Sequence, residues 1–267
     1  MALQAVLADI KSADCTDLLC LGDICNFGPY PKACLELVRS LDCVVLQGNH
    51  ELYVLGKRVP DDWETDPLWS PLRWTMERLN SADFDYIRSL PFSHELPTVG
   101  CRRSLATHAT PVSQFSPVKS DIAYADIGKN IGHLQDTYLF CGHTHAPLFY
   151  QWESSYIVNP GSVGAPLDGT PHAKYAIATQ HATGWHIEFR QVAYDYAAMQ
   201  RAYLTSGLQA SNPLLIAATR HQQSLSRNYL FKLIDTIRTY AQERNATVAD
   251  IYDQFPVPSE LLPYLDE

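Results

Sequence analysis

The sequence predicts an α/β protein whose core consists of two mixed sheets packed together, with helices on the outside. The first half of the 267-residue chain alternates helical and strand patterns, which favours a parallel sheet. Later segments pair around short turns, which is typical of antiparallel strands. From about Tyr196 the chain is helical and polar, without glycine-terminated strands. We therefore expect a core over residues 1–204 and a helical C-terminal extension over residues 205–267.

The composition indicates a folded chain with one sizeable core. Hydrophobic residues make up 46% and charged residues 18%, with a formal net charge of -9. This acidity argues against a general nucleic-acid binder, although bound cations would still allow a phosphate substrate. No stretch has the length and apolarity of a membrane span, and seven cysteines without a C-x-x-C pair are typical of reduced thiols. We expect a cytoplasmic protein that does not engage membranes.

Helix and strand patterns alternate from the start of the chain. Apolar residues at helical spacing predict an opening helix over residues 3–10. A short strand follows over residues 17–21 and ends at Gly22-Asp23. Pro31 suits the first position of the next helix, and a second strand over residues 43–46 ends at Gly48-Asn49-His50-Glu51. The polar residues at the two strand ends should therefore meet at one edge of a parallel sheet.

The middle of the chain is less regular. Residues 52–71 lack a clean period and predict a loop, and residues 72–90 predict two short helices, the second capped by Ser81. A brief strand over residues 104–107 precedes His108. Another helix is expected near residues 123–134.

The apolar run from Thr137 to Cys141 is the clearest strand signal in the chain. Gly142 ends it, and His143-Thr144-His145 follows at the carboxyl end of the strand. In open α/β sheets that edge is where ligands bind. Two hairpins are predicted after it, over residues 148–158 and 174–192.

Side chains of metal-ligand type follow four separate strand ends. Each one alone has an ordinary explanation as a turn, cap or core residue, but their joint occurrence favours a metal site. Imidazole, carboxylate and amide ligands without thiolate suit Mn, Fe, Zn or Ni. Two such metals about 3.5 to 4 Å apart can share a carboxylate and hold a hydroxide that attacks phosphorus. The ligand candidates are Asp23, Asn49, His108, His143 and His145, with Asp23 as the natural bridge.

Five short motifs occur in order along the chain. They are Gly22-Asp23 with Gly28-Pro29-Tyr30-Pro31, Gly48-Asn49-His50-Glu51, Thr107-His108-Ala109-Thr110-Pro111, Gly142-His143-Thr144-His145 and Asn159-Pro160-Gly161-Ser162-Val163-Gly164. In this order they resemble the calcineurin-like metallophosphoesterase superfamily and, within it, the small bacterial and archaeal phosphodiesterase branch. The resemblance covers residues 1 to about 200 and implies a four-layer α/β/β/α sandwich with a di-metal site at the sheet edge.

The resemblance also implies how two divalent metals would be held. Asp23 would bridge the two ions. Asn49, His108 and His143 would bind one of them, and His145 would bind the other.

Catalytic roles follow from the same resemblance. His50 would sit beside the substrate phosphate and donate a hydrogen bond or a proton to the leaving oxygen, as suits a group that titrates near neutrality. Its neighbour Glu51 is a candidate to keep this imidazole protonated. The expected catalytic residues are His50 and Asp23, and the expected substrate contacts are His50, Asn49 and His108.

The chain departs from the family pattern at its start. Members normally begin with a strand ending in D-x-H, whose Asp and His bind the first metal. Here residues 1–7 already resemble the helix after that motif, and Asp9 and Asp14 lie on or after this helix, away from any strand end. We therefore expect an N-terminally truncated core that holds one metal firmly. A reading frame that starts at an internal Met is favoured over the loss of the first element by the gene.

The expected function is metal-dependent hydrolysis of phosphoester bonds, phosphodiesters in particular, by a metal-bound hydroxide. The substrate would be a small phosphoester, and the missing D-x-H ligands would impair activity. The alternative is a non-catalytic scaffold with the same fold, as in a retromer subunit of this superfamily. In the extension, Leu230, Ile234 and Ile237 line one helix face, which is typical of core packing. A homodimer through this face is a further hypothesis.

Overall fold

The computed structural model describes residues 1–119, 124–132 and 134–265 and has the mixed α/β architecture that the sequence predicts. The elements of its first part, in chain order, are α1 (Ala2–Ile10), β1 (Leu19–Cys20), α2 (Pro31–Arg39), β2 (Val44–Val45), α3 (Asn49–Val54), α4 (Ser70–Met76), α5 (Ser81–Ser89), β3 (Ser93–Val99), β4 (Arg102–Thr107), α6 (Tyr124–Ile131), β5 (Thr137–Phe140), β6 (Pro147–Trp152), β7 (Ser155–Pro160), β8 (Ala173–His181) and β9 (Gly184–Val192).

From Tyr196 onward the C-terminal part of the chain is helical, as predicted. Its helices are α7 (Tyr196–Thr205), α8 (Leu208–Ser211), α9 (Pro213–Leu225), α10 (Leu230–Gln242), α11 (Val248–Ile251) and α12 (Leu262–Leu265). Helices α9 and α10 have 13 residues each, well short of the roughly 20 that a bilayer requires. In the described part of the chain, no helix combines the length and apolarity needed to cross a membrane.

A five-stranded mixed sheet with the order β3-β4-β5-β7-β6 forms the centre of the protein. Strands β4, β5 and β7 run parallel, and β3 and β6 pair antiparallel at the two edges. Parallel strands need cover on both faces, and every residue of β5 is buried. Leu139 packs with α6 on one face, and Phe140 packs with Leu46 near β2 on the other. The site-bearing end of β5 therefore rests on a closed core.

Two smaller, two-stranded sheets accompany the central one in the described residues. Strands β1 and β2 pair in parallel, and β8 and β9 form the predicted hairpin. Helix α1 packs its one buried residue, Val6, against Ala173 and Tyr175 of β8. Pro31 opens α2, as its fixed φ favours.

Several local predictions were wrong. The expected loop over residues 52–71 overlaps α3 and the start of α4, and the cap of α5 is Asn80 instead of Ser81. Strand β3 had no counterpart in the prediction. The helix expected near residues 123–134 is α6, and residues 123 and 133 lie outside the described ranges.

The extension packs closely against the core at the site-bearing end. Its hydrophobic cluster includes Leu68 from the short 3-10 turn Pro67–Trp69, which precedes α4. A buried chain of hydrogen bonds adds to this contact. Gln223 Nε2 donates to the Gly164 carbonyl at 3.5 Å and to the Tyr203 hydroxyl at 2.7 Å, and Tyr203 donates to the Phe27 carbonyl at 3.1 Å. Helices α7 and α9 thus bridge two loops beside the site. A domain boundary at residue 204 stays a prediction.

Candidate metal centre

The loops after β1 and β2 lie in direct contact because each carries a glycine. A Cβ on Gly22, whose φ is +96°, would lie 2.6 Å from the Gly48 nitrogen. A Cβ on Gly48 would lie 2.1 Å from Asp23 Oδ1. Asp23 itself has φ +58°, a conformation that non-glycine residues rarely adopt. The strand ends therefore approach only with glycine at both places, and this approach sets the Asp23 carboxylate against the start of α3.

Glu51 fastens these two loops together. Its side chain is fully buried and accepts hydrogen bonds from the backbone nitrogens of Asp23 and Ile24, both at 2.7 Å, and of Gly48 at 2.8 Å. Burial and the nearby Asp23 charge raise the Glu51 pKa, while the three N–H donors favour the ionised form. Glu51 therefore acts on the backbone, and the interpretation that it keeps His50 protonated was wrong.

Four of the predicted ligands converge at the edge of the sheets. One ligand atom from each of Asp23, His108 and His143 lies within 4.8 Å of the others. The Asn49 amide oxygen lies 3.0 Å from His108 Nε2 and 2.9 Å from His143 Nδ1. In the residues that the structure describes, this is the one such cluster of histidine, cysteine and carboxylate groups. The cluster contains the donor set that the family resemblance implies for the metal bound by Asn49, His108 and His143.

His143 carries the strongest local argument for a cation. Burial, together with the charge of His108, lowers its pKa to about 4, so the ring is neutral near neutral pH. Its Nε2 lies 3.1 Å from the Phe115 carbonyl oxygen, and its Nδ1 faces Asn49 Oδ1. A neutral imidazole has one N–H and cannot donate to both oxygens. With Nε2–H donating to Phe115, the Nδ1 lone pair faces an oxygen, an arrangement that a cation between them would stabilise.

His108 stands on the opposite side of the cluster. It is 2% exposed, and Nδ1 donates to the Leu21 carbonyl at 2.7 Å, which directs Nε2 into the site. Burial by itself would lower the His108 pKa, but the Asp23 carboxylate 3.3 Å away outweighs burial and raises it. A proton on Nε2 therefore occupies the place that a metal ion would take. A backbone carbonyl that orients a ligating histidine is typical of metal centres.

Asp23 is the matching anion. Burial by itself would raise its pKa, but the nearby His108 and His50 rings, a hydrogen bond from the His108 ring and another from the His50 backbone N–H hold it far below its usual range. Oδ1 accepts from the His50 backbone nitrogen at 2.9 Å, and Oδ2 faces His108. The carboxylate is thus ionised and already held in place, as a ligand for a divalent ion requires.

His145 lies apart from this cluster. Nδ1 donates to the Ala165 carbonyl at 2.7 Å, so Nε2 is free to bind a ligand. Burial lowers the His145 pKa, and the Asp23 charge opposes that shift. In the described ranges, no cluster of three or more histidine, cysteine and carboxylate groups includes His145. Its assignment to a second metal stays a prediction.

His50 borders the cluster and is oriented by a residue that the sequence analysis missed. Its Nε2 lies 4.0 Å from Asp23 Oδ2, and its Nδ1 lies 2.9 Å from Nδ2 of Asn26. Asn26 lies between the β1 end and Gly28-Pro29, and its φ is +111°. An asparagine three residues after a strand-end aspartate, just before a Gly-Pro turn, was the available signal.

The residues near the N-terminus take no part in the centre. Asp9 on α1 accepts a hydrogen bond from the Tyr175 hydroxyl and lies 3.8 Å from Arg190, so it faces the β8–β9 hairpin. Asp14 lies beyond α1, on the surface between Ile10 and Thr16. Neither carboxylate belongs to the cluster of Asp23, His108 and His143.

Together the fold and the site define a class of protein: an α/β protein whose carboxylate, amide and imidazole groups meet at the sheet edge and fit a divalent cation. A sequence model of the calcineurin-like phosphoesterase superfamily domain matches residues 1–183. The chain belongs to the calcineurin-like phosphoesterase superfamily. At the level of the family this means a hydrolase of phosphoesters that uses divalent metal.

One relative and two solved structures are similar to this chain over most of its length. The chain is 31% identical over 217 residues to the uncharacterized protein MJ0912 of Methanocaldococcus jannaschii, covering 76% of this chain and 85% of the relative. A metallophosphoesterase from Sphaerobacter thermophilus matches in structure with TM-score 0.65 and 27% identity, covering 84% of this chain and 94% of that one. The hypothetical protein PH1004 from Pyrococcus horikoshii OT3 has TM-score 0.65 at 20% identity, with coverages of 80% and 91%. These structures confirm the predicted metallophosphoesterase fold.

Proposed function

We propose that this protein is a metal-dependent phosphodiesterase that acts on small substrates. The observation that carries the proposal is the convergence of Asp23, Asn49, His108 and His143 on one point, with His50 beside it. A divalent ion bound there would supply Lewis-acid activation of water and of the phosphoryl group. The net charge of -9 speaks against an extended nucleic acid as the substrate.

The protein's own residues divide the remaining work. Asp23, Asn49, His108 and His143 hold the cation, and Glu51 keeps the Asp23 loop in place by accepting its backbone hydrogen bonds. His50 is 18% exposed at its side chain and donates a hydrogen bond from Nε2 to the phosphoryl or leaving oxygen. This donation stabilises charge that develops on the departing oxygen. In the substrate complex, Asn49 and His108 also line the phosphate position.

The metal count belongs to the proposal as well. We infer one firmly held ion at the Asp23–Asn49–His108–His143 cluster and a weaker one that His145 shares with Asp23. Mn, Fe, Zn and Ni all suit this donor set. The seven free cysteines support a reducing, cytoplasmic setting.

A hydrolysis assay tests the proposal. The protein is loaded with Mn²⁺ and supplied with bis(p-nitrophenyl) phosphate, a small phosphodiester with a good leaving group. Asp23→Ala should abolish turnover, and His50→Ala should lower kcat about 10²- to 10⁴-fold. His181→Ala is the matched control, because His181 is exposed at the end of β8.

Metal content and turnover together separate this proposal from the scaffold alternative, which would hold near zero or one ion per chain and show no turnover even with added metal. Mass spectrometry of the purified protein should find about one ion per chain, and Asp23→Ala should lose it. Absence of turnover at saturating metal, or full activity in both site variants, would contradict the phosphodiesterase mechanism. The first of these outcomes would favour a scaffold that keeps the fold without the reaction.

A further inference from the structure

Four aromatic side chains lie in a connected row along one side of the metal centre. The rings of Phe27 and Tyr53 meet the ring of His50 edge-on, with centroids 5.9 and 5.6 Å from it. Tyr53 in turn contacts Trp69 at 5.3 Å and Phe115 at 5.8 Å between ring centroids. Phe27, Tyr53, Trp69 and Phe115 together form what we call the aromatic border of the site.

The aromatic border lies beside the candidate ligands because two of its members are tied to them. Tyr53 follows Asn49 by four residues on α3, which places both side chains on one face of that helix. The carbonyl oxygen of Phe115 lies 3.1 Å from Nε2 of His143. A group esterified to a phosphate at the metal centre therefore has these rings as neighbours on this side.

The rings are held in place by packing and still have open surface. Phe27 and Trp69 pack against the hydrophobic cluster of the C-terminal helices, and Tyr53 packs against the cluster that contains Leu72. All four residues of the border are partly exposed. The four ring contacts have interplanar angles between 60° and 90°, so none of them is a parallel stack. A flat group that entered would meet aromatic surface that is already ordered, which lowers the entropic cost of binding.

The chemistry of the border favours one kind of occupant. Phenyl, phenol and indole rings are neutral, so they offer no cation to a second phosphate group. They do attract other aromatic rings through dispersion and through the complementary charge of ring faces and edges. Flat rings of different identity stack on such side chains with similar strength. The border therefore suits a planar ring better than an aliphatic or a charged group.

We propose that the aromatic border is the subsite for a planar ring of the substrate, so that the preferred substrates are phosphodiesters of an aryl alcohol or a nucleoside. The proposal rests on the proposed phosphodiesterase function for its catalytic meaning. Tyr53 and Phe115 determine this specificity, because they are tied to the ligand-bearing elements. Phe27 and Trp69 connect the subsite to the C-terminal helices, which lie beyond the residues 1–183 that the family model matches.

Binding of paired anions tests the subsite without turnover. Calorimetry of the Mn²⁺-loaded protein compares phenylphosphonate with methylphosphonate, and adenosine 5′-monophosphate with ribose 5-phosphate. The two members of each pair carry the same anionic group and differ in the ring. We expect the ring-bearing member to bind about 5- to 100-fold more tightly in at least one pair. The pair with the larger ratio shows whether the ring is attached directly or through a sugar. Equal binding within both pairs, or no binding at all, would overturn the proposal.

Substitutions then identify the residues responsible. Tyr53→Leu and Phe115→Leu should each lower the ratio about 3- to 10-fold, whereas Tyr53→Phe should keep it because the ring is retained. Affinity for the member without a ring should stay within about twofold, which shows that the metal centre is intact. The matched control is Phe189→Leu, since Phe189 is 41% exposed on β9, a strand that carries none of the candidate ligands. Unchanged ratios in both leucine variants of the border would contradict the assignment.

The outcomes separate this inference from the proposed function. If the wild type hydrolyses no phosphodiester but prefers the ring-bearing anion, and Tyr53→Leu loses that preference, the subsite is upheld and the phosphodiesterase function is overturned. If the wild type hydrolyses phosphodiesters and shows no ring preference in either pair, the function stands and the subsite is wrong.

Discussion

His143 and His145 follow the same strand with one residue between them, yet the structure gives them different surroundings. Both have positive φ, +65° and +59°, and both have one ring nitrogen at a backbone carbonyl. The second nitrogen of His143 lies 2.9 Å from Asn49 Oδ1 within the ligand cluster, whereas His145 stands outside it. A histidine pair in a sequence therefore indicates where the site is. The groups opposite each ring decide whether that histidine joins the cluster of candidate ligands.

The difference originates in elements that are distant in the chain. Asn49 opens α3 and His108 follows β4, and both converge on His143. Near His145, the Asp23 carboxylate is the main charge in the described residues that would favour a bound cation. The site thus has two halves, the cluster that contains His143 and the position next to His145. We therefore expect the two halves to respond unequally to the same substitution.

The largest expected effect is on metal affinity in the two histidine variants. His143→Ala should weaken binding of the metal at the Asp23–His108–His143 cluster by more than 100-fold, since removal of outer-shell partners alone costs 10- to 100-fold. His145→Ala should change that affinity by less than about tenfold, because His145 lies outside the cluster. Competition titration with a chelating indicator dye measures both. Equal losses in the two variants would show that both histidines bind the same metal ion.

Glu51→Gln should weaken both halves together. The substitution places an NH₂ group against backbone N–H donors of Asp23, Ile24 or Gly48 and removes a buried charge acceptor. We expect a loss of about 1–3 kcal/mol in the free energy of unfolding and about 10- to 100-fold in metal affinity. Chemical denaturation and metal titration measure the two effects.

Glu36→Gln is the control for that experiment, because Glu36 is a solvent-exposed partner of Lys32 on α2. It should leave both quantities within experimental error. A Glu51→Gln variant that lost affinity at only one metal would contradict a shared role for Glu51.

The pH dependence of metal binding should report His108 and not His143. The His108 pKa is raised above its usual 6.5 because the Asp23 charge outweighs burial, so below that raised pKa a proton competes with the metal. Affinity should fall about tenfold for each pH unit below it, with release of about one proton per metal bound.

The His143 pKa of about 4 means that this ring does not compete at mildly acidic pH. Calorimetry in buffers of different ionisation enthalpy measures the proton release. Metal affinity that is constant from about pH 5.5 to 7.5 would contradict the assignment of His108 as a ligand.

The smallest expected effect is that of Asp9→Asn. Asp9 contacts Tyr175 and Arg190 on the hairpin, so metal affinity should not change in either half of the site. The hydrogen bond contributes stability on the order of 1 kcal/mol, which thermal unfolding would detect as a small decrease in Tm. A tenfold loss of metal affinity would instead place Asp9 among the ligands.

Sequence patterns predicted the elements whose stability is local or strongly patterned. Strand β5 was recognisable because a branched and aromatic run ends in glycine, and α2 because Pro31 suits a first helical turn. The β8–β9 hairpin followed from alternation about a short turn. The ligand candidates were predicted because polar residues at several strand ends meet at one sheet edge.

The missed elements depend on tertiary contacts. Helix α3 has only six residues, too short to be stable alone, and it is held by burial of Leu52 and Val54. Strand β3 is an exposed edge that contains Pro97, and its register with β4 shifts between Leu96 and Val99. Such a strand exists because β4 pairs with it, and its own sequence carries little signal.

The same reasoning applies within the site. The sequence does not show whether the Glu51 carboxylate accepts backbone hydrogen bonds or contacts His50, since both partners are within its reach from the first turn of α3. The structure distinguishes the two: Asp23 has positive φ, and its backbone N–H donates to the Glu51 carboxylate. The role of Asn26 likewise depends on a left-handed loop conformation that no spacing rule predicts.

The hydrogen-bonded chain from Gly164 through Gln223 and Tyr203 to Phe27 also has a consequence for motion. It joins the loop that precedes Ala165, the carbonyl partner of His145, to the loop that carries Asn26. Separating these loops requires breaking at least one of these three hydrogen bonds. Motion of the two loops relative to each other should therefore be restrained, and this restraint should slow any exchange of ligand or product that requires them to separate.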